Sequence, residues 1–149
     1  MKRAVIVVGP HFSGKSKTIN KYFKPLVGIS GNQRTFDLRE KQGVVLSQSL
    51  EEKRLGRVLS QSSEEKSVTG VGEFLSRYLW CQWLVLAARP STEPGSHLEE
   101  ILRILKGNGF SVLVVEVAKD QPESFYRQRA NEILARLLQP HAVGVLPNP

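Results

Sequence analysis

Eight residues near the start of the sequence have the types and the spacing to bind phosphate. Residues 9–16 are Gly-Pro-His-Phe-Ser-Gly-Lys-Ser, which fits the pattern G-x-x-x-x-G-K-[ST]. Glycine lets the backbone adopt positive φ and approach a ligand closely, so consecutive N–H groups of such a loop converge on an anion. Lys15 adds a full positive charge, and the Ser16 hydroxyl is the kind of oxygen ligand that Mg²⁺ prefers. The pattern therefore predicts a phosphate-binding loop.

The residues on either side of this loop predict the elements that hold it. Residues 4–8 are Ala-Val-Ile-Val-Val, a continuous apolar run typical of a strand buried on both faces. A helix is expected from about Lys15, with Ile19, Tyr22 and Phe23 on its inner face, and Pro25 predicts its end. The positive end of that helix dipole would face the same point as the loop.

The charge distribution agrees with an anionic ligand near the N-terminus. The chain has 149 residues and a formal net charge of +7. Residues 1–41 contain nine basic and two acidic residues, so they carry the whole excess, and the rest of the chain is neutral. A basic segment also attracts nucleic acid, but no nucleic-acid recognition motif accompanies it. We therefore interpret the excess chiefly as the field of a phosphate site.

The loop resembles the Walker A motif of the P-loop NTPase superfamily. This resemblance implies a nucleoside triphosphate, ATP in the first instance, with Mg²⁺. Lys15 would bind the β- and γ-phosphates, and Ser16 would ligate the metal. The implied nucleotide-binding residues are Gly9, Pro10, His11, Phe12, Ser13, Gly14, Lys15, Ser16 and Lys17.

Small P-loop kinases supply expectations for further catalytic residues. An acid at the end of their second strand acts as a base toward the acceptor, and Asp37 occupies a similar place, with Arg39 nearby. Arg127 and Arg129 lie where a kinase lid would neutralise the transferred phosphate, although an exposed helix face explains them equally well. Because ligands of open α/β sheets bind beyond the strands' carboxyl ends, Arg89 and Glu93 are candidate acceptor-site residues.

The acid of a Walker B element is harder to assign. The apolar strand at 84–88 is followed by Arg89 rather than by an acid. The strand at 112–115 does end in Glu116, and Asp37 is the other candidate. Either no acid or a displaced one would therefore face the metal.

The remaining pattern alternates strands and helices. Strands are expected at 34–38, 83–88, 110–117 and 143–146. One helix is expected around 71–79, and a second is expected to start at a capping box of Ser96 with Glu99. A third is expected to start at Asp120 with Glu123 and to stop at Pro140. Residues 45–53 recur in similar form at 58–66, and capping boxes (Ser49 with Glu52, Ser62 with Glu65) predict a helix start in each copy.

This alternation predicts an α/β fold with a mainly parallel sheet and right-handed crossovers. With the resemblance, it implies a three-layer P-loop nucleotide-binding fold in one domain spanning residues 1–149. A single cysteine, Cys81, excludes an intrachain disulfide and favours a cytoplasmic location. The apolar runs are too short to span a bilayer, so no membrane partner is expected.

Three functions remain open at this point. The first is a small kinase-like phosphotransferase that passes the γ-phosphate of ATP to a small molecule or nucleotide. The second is a non-catalytic or slowly hydrolysing ATP-binding module that signals to a protein partner, which the missing Walker B acid favours. The third is a nucleic-acid-binding ATPase, which rests on the basic N-terminal quarter alone.

Overall fold

A computed structural model describes residues 2–48 and 64–139 of the chain. These residues form five strands and four helices. The strands are β1 (Lys2–Val8), β2 (Thr35–Leu38), β3 (Lys41–Leu46), β4 (Trp83–Ala88) and β5 (Phe110–Glu116). The helices are α1, which runs through Lys15–Lys17, Thr18–Phe23 and Lys24–Leu26, and α2 (Glu64–Ser76), α3 (Leu98–Gly107) and α4 (Glu123–Leu138).

The five strands form one mixed sheet in the order β2-β3-β4-β1-β5. β3, β4, β1 and β5 are parallel, and only β2 is antiparallel to its neighbour. Val5 in β1 lies opposite Val85 on one side and Leu113 on the other. The predicted α/β fold with a mainly parallel sheet is confirmed, and β1 lies inside the sheet, as its continuous apolar run requires.

Alternating residues of β1 pack into two separate cores, one on each face of the sheet. Ala4, Ile6 and Val8 pack into the core that also contains residues of α2 and α3. Val5 and Val7 belong to the core formed with α1 and α4. The helix residues at the centres of these cores are Val71, Leu75, Ile101 and Leu105 on the first face, and Ile19, Phe23, Ala130, Ile133 and Leu137 on the second.

Strand β3 was not predicted from the sequence, where Val45 was assigned to the first copy of the polar repeat. Val44, Val45 and Leu46 are buried in the sheet beside β4. The hairpin that joins β2 to β3 turns at Arg39 and Glu40, both with positive φ (53° and 67°). Such turns usually carry Asn-Gly or Asp-Gly, so Arg-Glu gave no turn signal. The predicted helix starts at residues 49–52 and 62–65 fall wholly or partly outside the described residues.

The first helix continues past Pro25, so the predicted end at that residue is wrong. Thr18–Phe23 is π-helical, and the Lys24 N–H donates to the Ile19 carbonyl, five residues earlier. Pro25 then lies in the first turn of the last stretch, where a missing N–H is tolerated. The π-helical stretch therefore leads into Pro25 without an interruption, and the helix continues to Leu26.

Two predicted capping interactions are also absent. Helix α3 begins at Leu98, and the Ser96 hydroxyl accepts from the Leu98 N–H (3.2 Å) instead of forming a box with Glu99. Helix α4 begins directly after Pro122, and no side chain caps its first turn. Helix α4 ends at Leu138, just before the predicted stop at Pro140. That residue and the predicted edge strand at 143–146 lie outside the described part of the chain.

Candidate functional site

The predicted phosphate loop leaves the sheet at the carboxyl end of β1, between the ends of two neighbouring strands. The Gly9 N–H donates to the Ala88 carbonyl at the end of β4 (3.1 Å), and the Val117 N–H donates to the Val8 carbonyl (2.8 Å). A Cβ at Gly9 would overlap the Ser13 hydroxyl and the Val117 side chain. The close approach between these three residues therefore requires the first glycine of the motif.

The rest of the loop turns tightly before α1 begins. The Ser13 N–H donates to the Pro10 carbonyl (3.1 Å), and both Phe12 and Gly14 have positive φ (61° and 99°). Phe12 is 82% exposed, at the tip of the loop. No side chain caps the first turn of α1, so the N–H groups at its start and the positive end of its dipole lie at the loop.

Lys15 and Ser16 occupy the first turn of α1. Lys15 is only 4% exposed, and its ammonium donates to the carbonyl oxygens of Gly9 (2.8 Å) and Pro10 (3.0 Å). The positive charge is thereby held at the loop rather than in open solvent. The exposed Ser16 hydroxyl accepts from the Asn20 amide (3.0 Å).

A cavity of about 350 Å³ opens over this loop, and we call it the loop cavity. Its lining combines six loop residues with two residues that follow β3. They are His11, Phe12, Ser13, Gly14, Lys15, Ser16, Ser47 and Gln48. Among the described residues, the lining of the loop cavity thus has one buried cation and no carboxylate.

Arg89 lies at the end of β4, where a Walker B acid was sought. Its guanidinium approaches the His11 ring, with Nη2 3.3 Å from Nδ1. Because arginine only donates hydrogen bonds, His11 Nδ1 accepts in this contact. The Ser96 hydroxyl donates to the Arg89 carbonyl (2.9 Å), and Arg89 Nε is buried without a hydrogen-bond partner among the described residues. Through His11 the structure therefore places a second cation against the loop, although neither Arg89 nor Glu93 is among the residues that line the loop cavity.

Asp37 lies at the amino end of the parallel strands, whereas the loop lies at their carboxyl end. Because β2 runs antiparallel to β3, Asp37 pairs with Gln42, near the start of β3. Across the sheet, Gln42 comes one residue before the position that is level with Arg3 in β1. Six residue steps of about 3.3 Å separate the level of Gln42 from Val8, so along the strand direction alone Asp37 is about 20 Å from the start of the loop. Arg39, in the turn that follows, lies at the same amino end. The structure therefore does not bring Asp37, the expected base, to the predicted phosphate loop.

The arginines of the expected lid are held against aromatic rings. Arg127 lies over the Tyr22 ring (5.2 Å to the centroid), and Arg129 lies over Phe125 (4.5 Å) and bonds to Glu132. Neither arginine is among the residues that line the loop cavity.

Two other expected contributors also point elsewhere. Lys17 bonds to Glu123 (2.9 Å) and lies over the Tyr126 ring. Glu116 is exposed at the carboxyl end of β5, beside Val8, but it does not line the loop cavity. The loop residues and Arg89 are therefore brought together, while Lys17, Asp37, Glu116, Arg127 and Arg129 are not.

A second cavity, of about 270 Å³, adjoins the loop cavity, and we call it the Lys24 cavity. It shares Ser16, Ser47 and Gln48 with the loop cavity. Its other lining residues are Asn20, Lys24, Gly31, Asn32, Arg34, Val45 and Leu46. Sequence reasoning missed Asn20, Asn32, Arg34, Ser47 and Gln48. The four-residue spacing of Ser16, Asn20 and Lys24 along one helix was the one signal available.

The described residues contain no cluster of three or more His, Cys, Asp or Glu side chains that could hold a metal ion. Among the same residues, no helix combines the length and the apolar character needed to cross a membrane. Comparisons of this chain with protein-family models, with curated proteins and with solved structures found no match.

Proposed function

We propose that this protein binds a nucleoside triphosphate, ATP in the first instance, through residues 9–16 and transfers its γ-phosphate to a small acceptor. The observation that carries the proposal is the position of Lys15. Its buried ammonium lies at a glycine-bounded loop, at the carboxyl end of an interior strand and at the start of a helix. Open α/β sheets bind ligands at that edge, and helix N-termini favour phosphate.

The groups around the loop fit a polyphosphate better than they fit a tightly held metal. Lys15 and Arg89 provide two positive charges, and the loop backbone provides N–H donors. For Mg²⁺, the described lining of the loop cavity offers the Ser16 hydroxyl but no carboxylate. That fits an ion held chiefly by phosphate oxygens and water, which is a common mode for Mg²⁺. Such an ion would neutralise charge on the phosphates.

Phosphoryl transfer depends mainly on positioning and charge neutralisation, and the chain's own residues can supply both. Lys15 would hold the β- and γ-phosphates, and the Ser16 hydroxyl would hold the Mg²⁺ that these phosphates carry. The fold itself, a mainly parallel sheet with a phosphate loop after β1, is what we propose to be a P-loop nucleotide-binding fold. The adjoining Lys24 cavity favours transfer to an acceptor because it leaves room for a second ligand beside Ser16.

Among the described residues no acid lines the loop cavity, and this favours a second candidate, an ATP-binding module that turns over slowly or not at all. Neither Asp37 nor Glu116 lines the loop cavity, and Arg89 occupies the end of β4. Incubation with ATP and Mg²⁺, alone and with pools of hydroxyl-bearing acceptors, separates the two candidates. Acceptor-stimulated nucleoside diphosphate production supports the transferase, and tight binding without turnover supports the module.

The binding claim itself is tested by Lys15→Ala. Removal of one charged donor to phosphate typically weakens an interaction by about 1.5–3 kcal/mol. We therefore expect ATP affinity, measured by isothermal titration calorimetry, to fall about 10- to 100-fold. Lys21→Ala is the matched control, since Lys21 lies on the same helix but pairs with Glu123. Equal affinities for the Lys15→Ala variant and the unmodified protein would contradict the proposal.

A further inference from the structure

We propose that the Lys24 cavity binds the anionic group of the phosphate acceptor, so that the acceptor is a small alcohol bearing a carboxylate or a phosphate. This inference deepens the proposed function, on which its catalytic part rests. Anion binding in the Lys24 cavity rests on that cavity's own charges and contacts.

Two positive side chains lie together at this cavity. Lys24 is 3% exposed, and its ammonium donates to the Gly31 carbonyl (2.7 Å). Arg34, at the approach to β2, lines the same cavity. Among the described residues, no carboxylate lines this cavity and neither cation has an ion-pair partner.

The environment of Lys24 is unfavourable to its charge. Burial lowers the pKa of Lys24, and the positive charge of Arg34 lowers it further. A bound anion would oppose both effects because it compensates the buried ammonium and separates the two like charges. The cavity therefore has a physical reason to prefer an anionic ligand over a neutral one.

The remaining lining groups suit hydroxyl groups. Asn20, Asn32, Ser47 and Gln48 contribute amides and a hydroxyl, which both donate and accept. The Asn20 amide donates to the Ser16 hydroxyl, and its Oδ1 is buried without a hydrogen-bond partner among the described residues. An alcohol is a donor of the kind that such an oxygen lacks.

The position of the cavity connects the anion to the phosphate loop. Ser16, Asn20 and Lys24 line it along α1, and the eight residues from Ser16 to Lys24 span about 12 Å at a helical rise of about 1.5 Å. An acceptor held by Lys24 and Arg34 at one end can therefore direct its hydroxyl toward Ser16. The shared lining residues leave the two cavities open to each other at that end.

The transfer step balances without a further reactant. The acceptor oxygen forms a bond to the γ-phosphorus, and the bond between that phosphorus and the bridging oxygen breaks. The nucleoside diphosphate leaves with the electron pair, and the acceptor's hydroxyl proton passes to solvent water. The chain supplies orientation at both ends, through Lys15 and through the Lys24 cavity.

The test uses a matched pair of charge removals on one hairpin. Arg34→Gln removes the exposed cation at the cavity, and Arg39→Gln makes the same change at the opposite edge of the sheet. The protein is first saturated with a non-hydrolysable ATP analogue and Mg²⁺ so that the loop is blocked. Glycerate, glycerol 3-phosphate, inorganic phosphate and glycerol are then titrated by calorimetry, and thermal unfolding confirms that each variant folds.

We expect at least one of the three anions to bind the blocked protein, and glycerol not to bind. Arg34→Gln should weaken the anion about tenfold or more, while Arg39→Gln leaves its affinity unchanged. Preference for glycerate or for glycerol 3-phosphate identifies a carboxylate or a phosphate acceptor. The proposal is overturned if no anion binds, if glycerol binds equally well, or if the two variants behave alike.

A failure of the proposed function gives a different result. If the ATP analogue does not bind, inorganic phosphate is titrated into the Lys15→Ala and Arg34→Gln variants of the nucleotide-free protein. Loss of phosphate binding in the Arg34→Gln variant alone would retain the anion site and reject the nucleotide site. Loss in Lys15→Ala alone would reject the Lys24 cavity as the anion site.

Discussion

Gly14 combines a conformational and a steric requirement in a single residue. Its φ of 99° lies in the left-handed region, and a Cβ there would overlap the Tyr126 ring. That ring has little freedom to move, since its hydroxyl donates to the Ala118 carbonyl (2.7 Å) and accepts from the Gln121 N–H (3.3 Å). The second glycine of the motif is therefore required by packing against α4 as well as by its own backbone conformation.

Gly14→Ala should destabilise the fold more than Gly28→Ala. Gly28 also has positive φ (80°), but a Cβ there meets nothing within 4 Å. The control variant, Gly28→Ala, should lose only the free energy that a left-handed backbone costs a non-glycine residue, about 1–2 kcal/mol. Gly14→Ala should lose about 1–3 kcal/mol more through overpacking against Tyr126. Urea unfolding measures both, and equal losses would show that the Tyr126 ring yields freely.

At the scale of elements, α1 divides its lysines between two tasks. Lys17 and Lys21 face α4, where Glu123 bonds to both ammonium groups and also accepts from the Tyr22 hydroxyl. Lys24 instead points its ammonium to Gly31 beside the Lys24 cavity. One carboxylate of α4 therefore pairs with two of the four lysines of this helix, while Lys15 and Lys24 lie at the cavities.

Glu123 should make the contact between α1 and α4 sensitive to acid. Hydrogen bonds from Tyr22, Lys17 and Lys21 lower the pKa of Glu123 from 4.5 to about 2. Because the folded-state pKa is depressed, the stabilisation is complete above about pH 4.5 and is lost as the pH falls toward 2. Glu123→Gln should therefore unfold at lower urea concentration than the unmodified protein at pH 7.

The difference in urea midpoint should shrink between pH 4.5 and pH 2 and also in high salt, since the group is exposed. Glu132→Gln is the control, because Glu132 pairs only within α4, with Arg129 and Arg136. A difference for Glu123→Gln that stays constant down to pH 2 would contradict this account.

At the scale of the whole molecule, the order of the strands determines which residues can meet. β1 lies between β4 and β5, so Arg89, at the end of β4, can contact the loop that follows β1. Residues that follow β3 reach both cavities because β3 is parallel to β4 and ends at the same edge. β2 is the single antiparallel strand, and its direction carries Asp37 away from that edge.

The same order predicts a gradient of local stability across the sheet. Val5, Ile6 and Val7 are fully buried between two partner strands, whereas the four-residue strand β2 lies at the edge. Local opening is easiest where few contacts and exposed hydrogen bonds hold the backbone. In hydrogen exchange followed by mass spectrometry, peptides of β1 should exchange slowest and those of β2 early. Equally slow exchange of both strands would rule out β2 as a weakly held edge.

The sequence by itself determined the features that depend on neighbouring residues. The loop conformation at residues 9–16 follows from two glycines and a helix start, and β1 and β4 follow from continuous apolar runs. These signals are local because φ preferences, helix dipoles and strand burial act over a few residues. The positive N-terminal quarter was equally visible in the sequence, and four of its lysines lie on α1.

Only the tertiary structure decided which distant side chains share the site. The Arg39–Glu40 turn, which contains no glycine, reverses the chain. It leaves Asp37 at the end of the sheet opposite the loop. Arg89 contacts His11, and Arg34 lines the same cavity as Lys24, because sheet order and strand direction bring separate loops together. Strand pairing is a long-range choice that no local pattern encodes, so the glycine-bounded loop could be predicted from the sequence and the Lys24 cavity could not.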